Sequence, residues 1–244
     1  MASSTPSFPR TQRIGIHVYS NFEPLDVWGF AQAFAISRFI GTGYGSPPPY
    51  PFEIVTISNE VRCATSGPIP APVKSLNGPS VAPDLFRDEA LDQPFDLLMI
   101  PGGLGTGDLL VRSDAKSVDE LVAWVQAMDK RVTLMTSVCT GAAILARAGL
   151  LDGLPAATNH EAFAWVTTYG PRVLWDNVSR WVDAGKYVTS AGVSAGTDMA
   201  FYLVARMAGR AVAEQAAIGA EYNWHRDPEQ PIFHPQQATV PTGE

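Results

Sequence analysis

Clustered basic residues and long apolar runs are both scarce in this sequence. Lys and Arg total 17 of the 244 residues, against 24 Asp and Glu, and the net charge is −7. Binding to nucleic-acid phosphates requires clustered Lys and Arg, so this balance predicts no nucleic-acid partner. Apolar stretches such as 142–151 are much shorter than the roughly 20 residues that span a bilayer, so we expect no membrane partner either.

Cysteine is rare, with Cys63 and Cys139 the only two. No disulfide is expected, because a chain of this size can build a core without one. The cysteines and histidines are scattered singly, without the spacing of a metal site, so we expect no metal. Cys63 lies in a polar, Pro-rich stretch (60–72), where an inert or surface thiol is the simplest interpretation.

The termini also lack a recognisable targeting pattern. Residues 1–13 contain no basic segment followed by an apolar one, so we expect a cytoplasmic protein without a signal peptide. Ser, Thr and Pro are frequent in 1–12, which predicts a flexible arm. Residues 13–225 show no linker or break in composition and are predicted to form a single α/β catalytic domain, and the Pro-rich residues 226–244 an extended tail.

Strand and helix patterns alternate along this predicted domain. Several strand patterns are continuously apolar, which is typical of parallel strands covered on both faces. We therefore predict an α/β fold, with a mostly parallel sheet sandwiched by helices. The strand patterns occupy 13–20, 52–58, 95–100, 131–137, 172–175 and 186–190, and the main helix patterns 26–40, 114–129, 141–148, 194–208 and 211–223.

Cys139 lies between a buried strand pattern and a helix of small residues. This is the arrangement of a nucleophile elbow, in which a reactive side chain occupies a tight turn after a central strand. The helix N-terminus carries a partial positive charge that favours a thiolate. The alternative is an inert core thiol, since cysteine is among the most buried residue types.

Two further features are expected at the same sheet edge. Consecutive glycines, Gly102 and Gly103, follow the preceding strand, and the N–H groups of Gly103 and Thr140 can together stabilise an anion. A turn that requires positive φ explains the glycines equally well. Asp26 follows the first strand, where its carboxyl group can act as a general acid or base, or simply cap the next helix. Of the four histidines, only His160 is placed to assist the thiol.

With these motifs the chain resembles the class I glutamine amidotransferase-like superfamily, in the branch that contains isonitrile hydratase and the Parkinsonism-associated deglycase. The resemblance covers roughly residues 13–222, and a flavodoxin-like fold goes with it. True glutamine amidotransferases need a downstream His-x-Glu pair, and none occurs here. The matching motifs are LDVWG at 25–29, MIPGG at 99–103, SVCTG at 137–141 with AGLLDG at 148–153, and AGVSAGTD at 191–198.

The resemblance to isonitrile hydratase implies a hydro-lyase, which converts an isonitrile to an N-substituted formamide without a cofactor. Its characteristic trio falls on Asp26, Cys139 and Thr140. Trp28 is a candidate for lining the pocket of a small-molecule substrate. Several relatives carry His where this chain has Asn159, so Asn159 is a candidate pocket residue. A homodimer is also implied. The alternatives are a small-carbonyl hydrolase of glyoxalase type that uses the same cysteine, and a redox-sensing thiol protein.

Overall fold

Ten strands and seven α-helices alternate along residues 9–230, the part of the chain that the computed structural model describes. The strands are β1 (Gln12–Val18), β2 (Phe52–Ser58), β3 (Val73–Lys74), β4 (Ser80–Val81), β5 (Leu97–Ile100), β6 (Leu134–Ser137), β7 (Pro155–Ala157), β8 (Leu174–Asp176), β9 (Trp181–Ala184) and β10 (Tyr187–Ser190). The α-helices are α1 (Pro24–Ala35), α2 (Leu104–Gly107), α3 (Ala115–Asp129), α4 (Ala142–Arg147), α5 (Phe163–Val166), α6 (Ser194–Ala208) and α7 (Arg210–Gly219).

Six of these strands form the central sheet, in the order β2-β1-β5-β6-β10-β9. Every neighbouring pair is parallel except β10 and β9, which are antiparallel. The five parallel strands, β1, β2, β5, β6 and β10, are strands 1 to 5 when counted along the chain. Their order in the sheet is 2-1-3-4-5, as in flavodoxin-like folds. The predicted α/β fold, with a mostly parallel sheet flanked by helices, is therefore confirmed.

The central strands form because their side chains are apolar on both faces. All four residues of β5 are fully buried, and so are Ile14, Ile16 and Val18 of β1. Helix α6 packs against α1 and α7, and α3 packs against α4, which supplies the apolar cover. The carboxyl ends of β1, β5 and β6 consequently meet at one edge of the sheet.

Several elements differ in extent from the sequence-based expectation or were not expected, among them α2, α5 and the helix over 211–223, which ends at Gly219. Two of the differences have a clear physical reason. The helix expected over 26–40 ends at Ala35, and the Ser37 hydroxyl donates to the Ala33 carbonyl, a side-chain bond that competes with a further helical turn. Strand β9 was not predicted, because Asp183 makes its sequence polar. In the fold, the Asp183 carboxylate accepts hydrogen bonds from Tyr202 and Arg206 on α6, so this edge strand tolerates a charge.

The two ends of the chain are described in part. Residues 1–8 of the predicted arm and 231–244 of the predicted tail lie outside the described range. Gln12, expected in the arm, begins β1, and the Pro228 carbonyl at the start of the tail accepts the Arg180 N–H at 2.7 Å. The single-domain prediction for 13–225 stays a prediction. Within 9–230, no helix is both long and apolar enough to cross a membrane.

Candidate active site

Cys139 sits at a sharp turn between β6 and α4. Its φ of +58° lies in the left-handed region, which is uncommon for a residue with a side chain and marks local strain. The turn is held because the Val138 N–H donates to the Ile100 carbonyl at 3.0 Å and the Cys139 N–H to the Ala191 carbonyl at 3.1 Å. The Thr158 hydroxyl also binds the Cys139 carbonyl at 2.9 Å. The predicted nucleophile elbow after a central strand is confirmed as a backbone feature.

Gly102 and Gly103 lie directly against this turn. A Cβ on Gly102 would lie 2.6 Å from the Thr140 backbone nitrogen and 2.9 Å from the Cys139 Cβ, so only glycine permits the close approach. Gly103 has a φ of +113°, and a Cβ there would collide with the Glu23 backbone nitrogen. The sequence offered two explanations of these glycines, a turn with positive φ and a close approach of backbone to the site. Both apply, because Gly103 adopts the positive φ and Gly102 allows the backbone to approach Cys139.

Asp26 occupies the first turn of α1 and is fully buried. Its Oδ2 accepts the Gly102 N–H at 2.7 Å, whereas its Oδ1 finds no hydrogen-bond partner among residues 9–230. Burial raises the pKa of Asp26 to about 8, and the charge of Glu23 acts in the same direction. Asp26 is therefore a protonated carboxylic acid at neutral pH. It does not cap α1, since the N-cap position belongs to Glu23.

The thiol of Cys139 is buried beside this carboxyl group. The pKa of Cys139 is raised to about 12, chiefly by burial and in smaller part by the negative charge that Asp26 carries when ionised. Three donors lower it in part, namely the backbone N–H groups of Thr140 and Val193 and the side chain of Asn159. The expectation of a thiolate stabilised by the helix N-terminus is wrong, because the loss of solvent outweighs these donors. The resting pair is a neutral thiol and a neutral acid.

The hydroxyl of Thr140 has a structural partner. Its Oγ1 accepts the Gly103 N–H at 3.1 Å and lies 3.1 Å from the Thr106 hydroxyl. The Gly103 N–H is thus already satisfied, and the expected anion-binding pair of Gly103 and Thr140 N–H groups does not form. The N–H groups that face the sulfur are those of Thr140 and Val193.

Val193 is one of the site residues that the sequence does not reveal. It is the N-cap of α6, with a φ of +26°, a backbone conformation that a β-branched residue rarely adopts. Its motif, AGVSAGTD, contributes to the resemblance but carries no chemical group that indicates a role. A backbone N–H leaves no mark in the residue types, so the sequence gives no signal for it.

Asn159 and His160 take different directions from the segment that follows β7. Asn159 lines the site, bonds the Cys139 thiol through its side chain, and accepts the Ala162 N–H at 2.9 Å. His160 does not line it, and burial lowers the pKa of this imidazole while the charge of Asp176 acts in the opposite direction. Of these two neighbours, the structure therefore brings Asn159 to the thiol.

A cavity of about 600 Å³ opens onto Cys139. Trp28 is not part of its wall: the indole is 39% exposed and packs edge-on against Phe22, with ring centroids 6.3 Å apart. Gly102 lies behind the wall, with its N–H on Asp26. The lining residues are Glu23, Leu76, Gly103, Leu104, Gly107, Cys139, Thr140, Asn159, Glu161, Ala162, Trp165 and Val193.

The second cysteine lies away from this cavity. Cys63 is exposed, and hydrogen bonds from the hydroxyls of Ser66 and Thr65 lower its pKa to about 7. It contributes nothing to the cavity. Within the described range, no cluster of three His, Cys, Asp or Glu side chains is suited to hold a metal ion.

Similar proteins include both an enzyme and transcriptional regulators. Isonitrile hydratase from Pseudomonas putida is 27% identical over 172 residues, which cover 70% of this chain and 71% of that protein. The HTH-type transcriptional regulator GbdR from Pseudomonas aeruginosa is 31% identical over 154 residues, 63% of this chain. The matched region spans 39% of the regulator's length.

Solved structures share the fold at low sequence identity. A THiJ/PfpI family protein from Pseudomonas syringae superposes with a TM-score of 0.69 and 23% identity, covering 95% of this chain and 85% of the other. Drosophila melanogaster DJ-1beta gives a TM-score of 0.66 at 15% identity, covering 87% and 99%. The sequence pattern of the DJ-1/PfpI family matches residues 18–206. The chain therefore belongs to the DJ-1/PfpI family.

Proposed function

We propose that this protein hydrates an isonitrile, R–N≡C, to the formamide R–NH–CHO, with Cys139 as the nucleophile and Asp26 as the general acid and base. One observation carries the proposal. Asp26 is buried, one of its oxygens accepts the Gly102 N–H and the other has no partner among residues 9–230, and the carboxyl group lies close enough to Cys139 that its ionised form raises the thiol pKa. The similarity to an isonitrile hydratase supports the same reaction.

The first step forms a thioimidate. The Cys139 sulfur bonds to the terminal carbon of the isonitrile while Asp26 gives its proton to that carbon and takes the thiol proton in exchange. The product is R–N=CH–S–Cys, and Asp26 is again protonated. An acid that is protonated at neutral pH is suited to this exchange, because the substrate needs a proton donor and the thiol needs an acceptor.

The second step releases the formamide. Water adds to the thioimidate carbon, with one water proton passing through Asp26 to the nitrogen, and R–NH–CH(OH)–S–Cys forms. The C–S bond then breaks as C=O forms, and the hydroxyl proton returns to sulfur. The N–H groups of Thr140 and Val193 stabilise negative charge on the departing sulfur, as expected from their positions beside it. The Thr140 hydroxyl positions the loop by holding Gly103.

The test is turnover of cyclohexyl isocyanide to N-cyclohexylformamide, followed by NMR. Wild type and the exposed-thiol control Cys63→Ser are expected to form the formamide at equal rates. Cys139→Ala and Asp26→Asn are expected to lose at least 100-fold of the activity, the usual scale for removing a nucleophile or general acid. An inactive wild type, or a Cys139→Ala variant as active as wild type, would sink the proposal.

The same preparation tests the two alternatives. Turnover of methylglyoxal without turnover of isocyanide would favour a small-carbonyl hydrolase. Rapid oxidation of Cys139 by dilute peroxide, without turnover of either isocyanide or methylglyoxal, would favour a redox sensor. The raised pKa of Cys139 argues against the sensor, because peroxide reacts with thiolates rather than thiols.

A homodimer in the cytoplasm remains part of the proposal. Its support is the resemblance of the sequence to the isonitrile hydratase branch. Light scattering of the purified protein at micromolar concentration measures the oligomeric state directly. A mass of 26.2 kDa would show a monomer and twice that value the expected dimer.

A further inference from the structure

Two glutamates line the cavity that leads to Cys139, and we propose that its substrate is an isonitrile whose R group carries a positive charge, such as a substituted ammonium. This inference rests on the proposed function and names its substrate class. Three lining residues carry it: Glu23 and Glu161 supply carboxylates, and Trp165 supplies an aromatic surface.

The two carboxylates have no cation of their own. Neither Glu23 nor Glu161 forms an ion pair or a side-chain hydrogen bond within the described part of the chain, and no Lys, Arg or His lines the cavity. Arg112 lines a smaller neighbouring cavity, but its guanidinium pairs with Asp108 at 2.6 Å. The negative charge of the wall is thus available to a ligand.

Trp165 provides the second element of a cation site. It lies on α5, four residues after Glu161, and its partly buried ring packs edge-on against Tyr169, with centroids 5.2 Å apart. Ala162, the small lining residue between them, leaves space beside the indole. Indole faces attract ammonium groups, and a nearby carboxylate strengthens this attraction.

The charge differs along the lining of the cavity. Cys139 and the nearby Asp26 are neutral at neutral pH, which suits the uncharged isocyano group. The half-buried Glu23 and the exposed Glu161 are anionic and suit a cation. A substrate with both groups would therefore bind in one direction, with its reactive carbon at the thiol. A carboxylate in R would be repelled by Glu23 and Glu161.

The experiment compares two isonitriles of equal size and shape. One is 3-(trimethylammonio)propyl isocyanide and the other is its neutral isostere, 4,4-dimethylpentyl isocyanide. For wild type we expect kcat/KM to favour the cation about tenfold, from one cation–π contact and two partly exposed carboxylates. Glu161→Gln and Glu23→Gln should each lower this ratio, and Glu229→Gln, which removes an exposed charge away from the cavity wall, should leave it unchanged.

A binding measurement separates the two proposals. The corresponding cationic and neutral formamides are titrated into the protein by calorimetry, which needs no turnover. Equal turnover of both isonitriles, together with equal affinity for both formamides, would overturn the cation preference and leave the hydration intact. Tighter binding of the cationic formamide without turnover of either isonitrile would refute the hydration and support the cation site. A kcat/KM ratio of cationic to neutral isonitrile that is the same in wild type, Glu161→Gln and Glu23→Gln would also overturn the cation preference.

Discussion

Replacing Asp26 by Asn is expected to stabilise the protein at alkaline pH. The amide has the size of the carboxyl group and keeps an oxygen for the Gly102 N–H, but it never ionises. Wild-type Asp26 ordinarily has a pKa of 3.8 and reaches about 8 in the fold, so the folded protein holds a proton that the unfolded chain has released. Between these two values the folded state loses stability as the pH rises.

The magnitude follows from the two pKa values. At 1.36 kcal/mol per pH unit, the ionisation of Asp26 in the unfolded chain lowers the free energy of unfolding by about 1.5 kcal/mol at pH 5 and by about 5 kcal/mol at pH 8. The stability difference between Asp26→Asn and wild type should therefore widen by about 4 kcal/mol over this interval. The Cys139 thiol does not contribute, because its pKa rises from 9.0 in the fold and it stays protonated below pH 8 in both states.

Guanidinium unfolding of both proteins at pH 5, 6, 7 and 8 measures this difference. All other titrating groups are common to the two proteins, so their contributions cancel in the comparison. A difference that stays constant from pH 5 to pH 8 would refute the conclusion that Asp26 is protonated in the folded protein. It would also remove the proton donor on which the first step of the proposed reaction depends.

Three further substitutions test other parts of the structure. Gly102→Ala should displace the elbow and abolish isocyanide turnover, because its Cβ would collide with the Thr140 backbone, whereas Gly45→Ala, in open space, should be as active as wild type. Asp198→Asn should lower the unfolding free energy by about 3–5 kcal/mol in urea, since it leaves the Arg180 guanidinium buried without its partner. Burial lowers the pKa of His17 to about 3, so the free energy of unfolding falls as the pH drops below 6.5, where the unfolded chain binds a proton that the folded protein does not. In His17→Phe, the free energy of unfolding should therefore fall less steeply between pH 6.5 and pH 3.

Most of the fold follows from local apolar patterns. The apolar strand β5 and the buried strand β6, followed by glycine or cysteine turns, are sufficient to predict a parallel sheet with its site at the carboxyl edge. The exceptions are short or polar elements. Strand β9 depends on Tyr202 and Arg206 of α6, which neutralise Asp183 only after the helix has packed. No window of sequence contains that information.

The site was predictable in its residues more than in its electrostatics. Cys139, Asp26, Thr140 and Asn159 come together because each follows a strand of the sheet or the segment next to it. Their protonation states depend on how completely neighbouring elements exclude water, which a linear pattern does not record. The same limit hid Val193, whose N–H reaches the sulfur from the start of α6.

The acidic wall of the cavity shows this limit most clearly. Glu161 and Trp165 belong to a segment without any recognised motif, and Glu23 lies about 140 residues away in sequence. Only the folded chain places the three around one cavity. Sequence patterns indicate where the thiol is, whereas the nature of the R group follows from side chains that the fold collects.

The different surroundings of the two cysteines have a practical consequence for chemical labelling. The pKa of Cys63 is lowered to about 7, so a large share of this exposed thiol is thiolate at pH 7, whereas burial raises the pKa of Cys139 and keeps it a thiol. Iodoacetamide and similar electrophiles react with thiolates, so they will modify Cys63 first and leave activity intact. Reactivity profiling of this protein would therefore identify the wrong cysteine, and only a small isonitrile that enters the cavity and is protonated there would label Cys139.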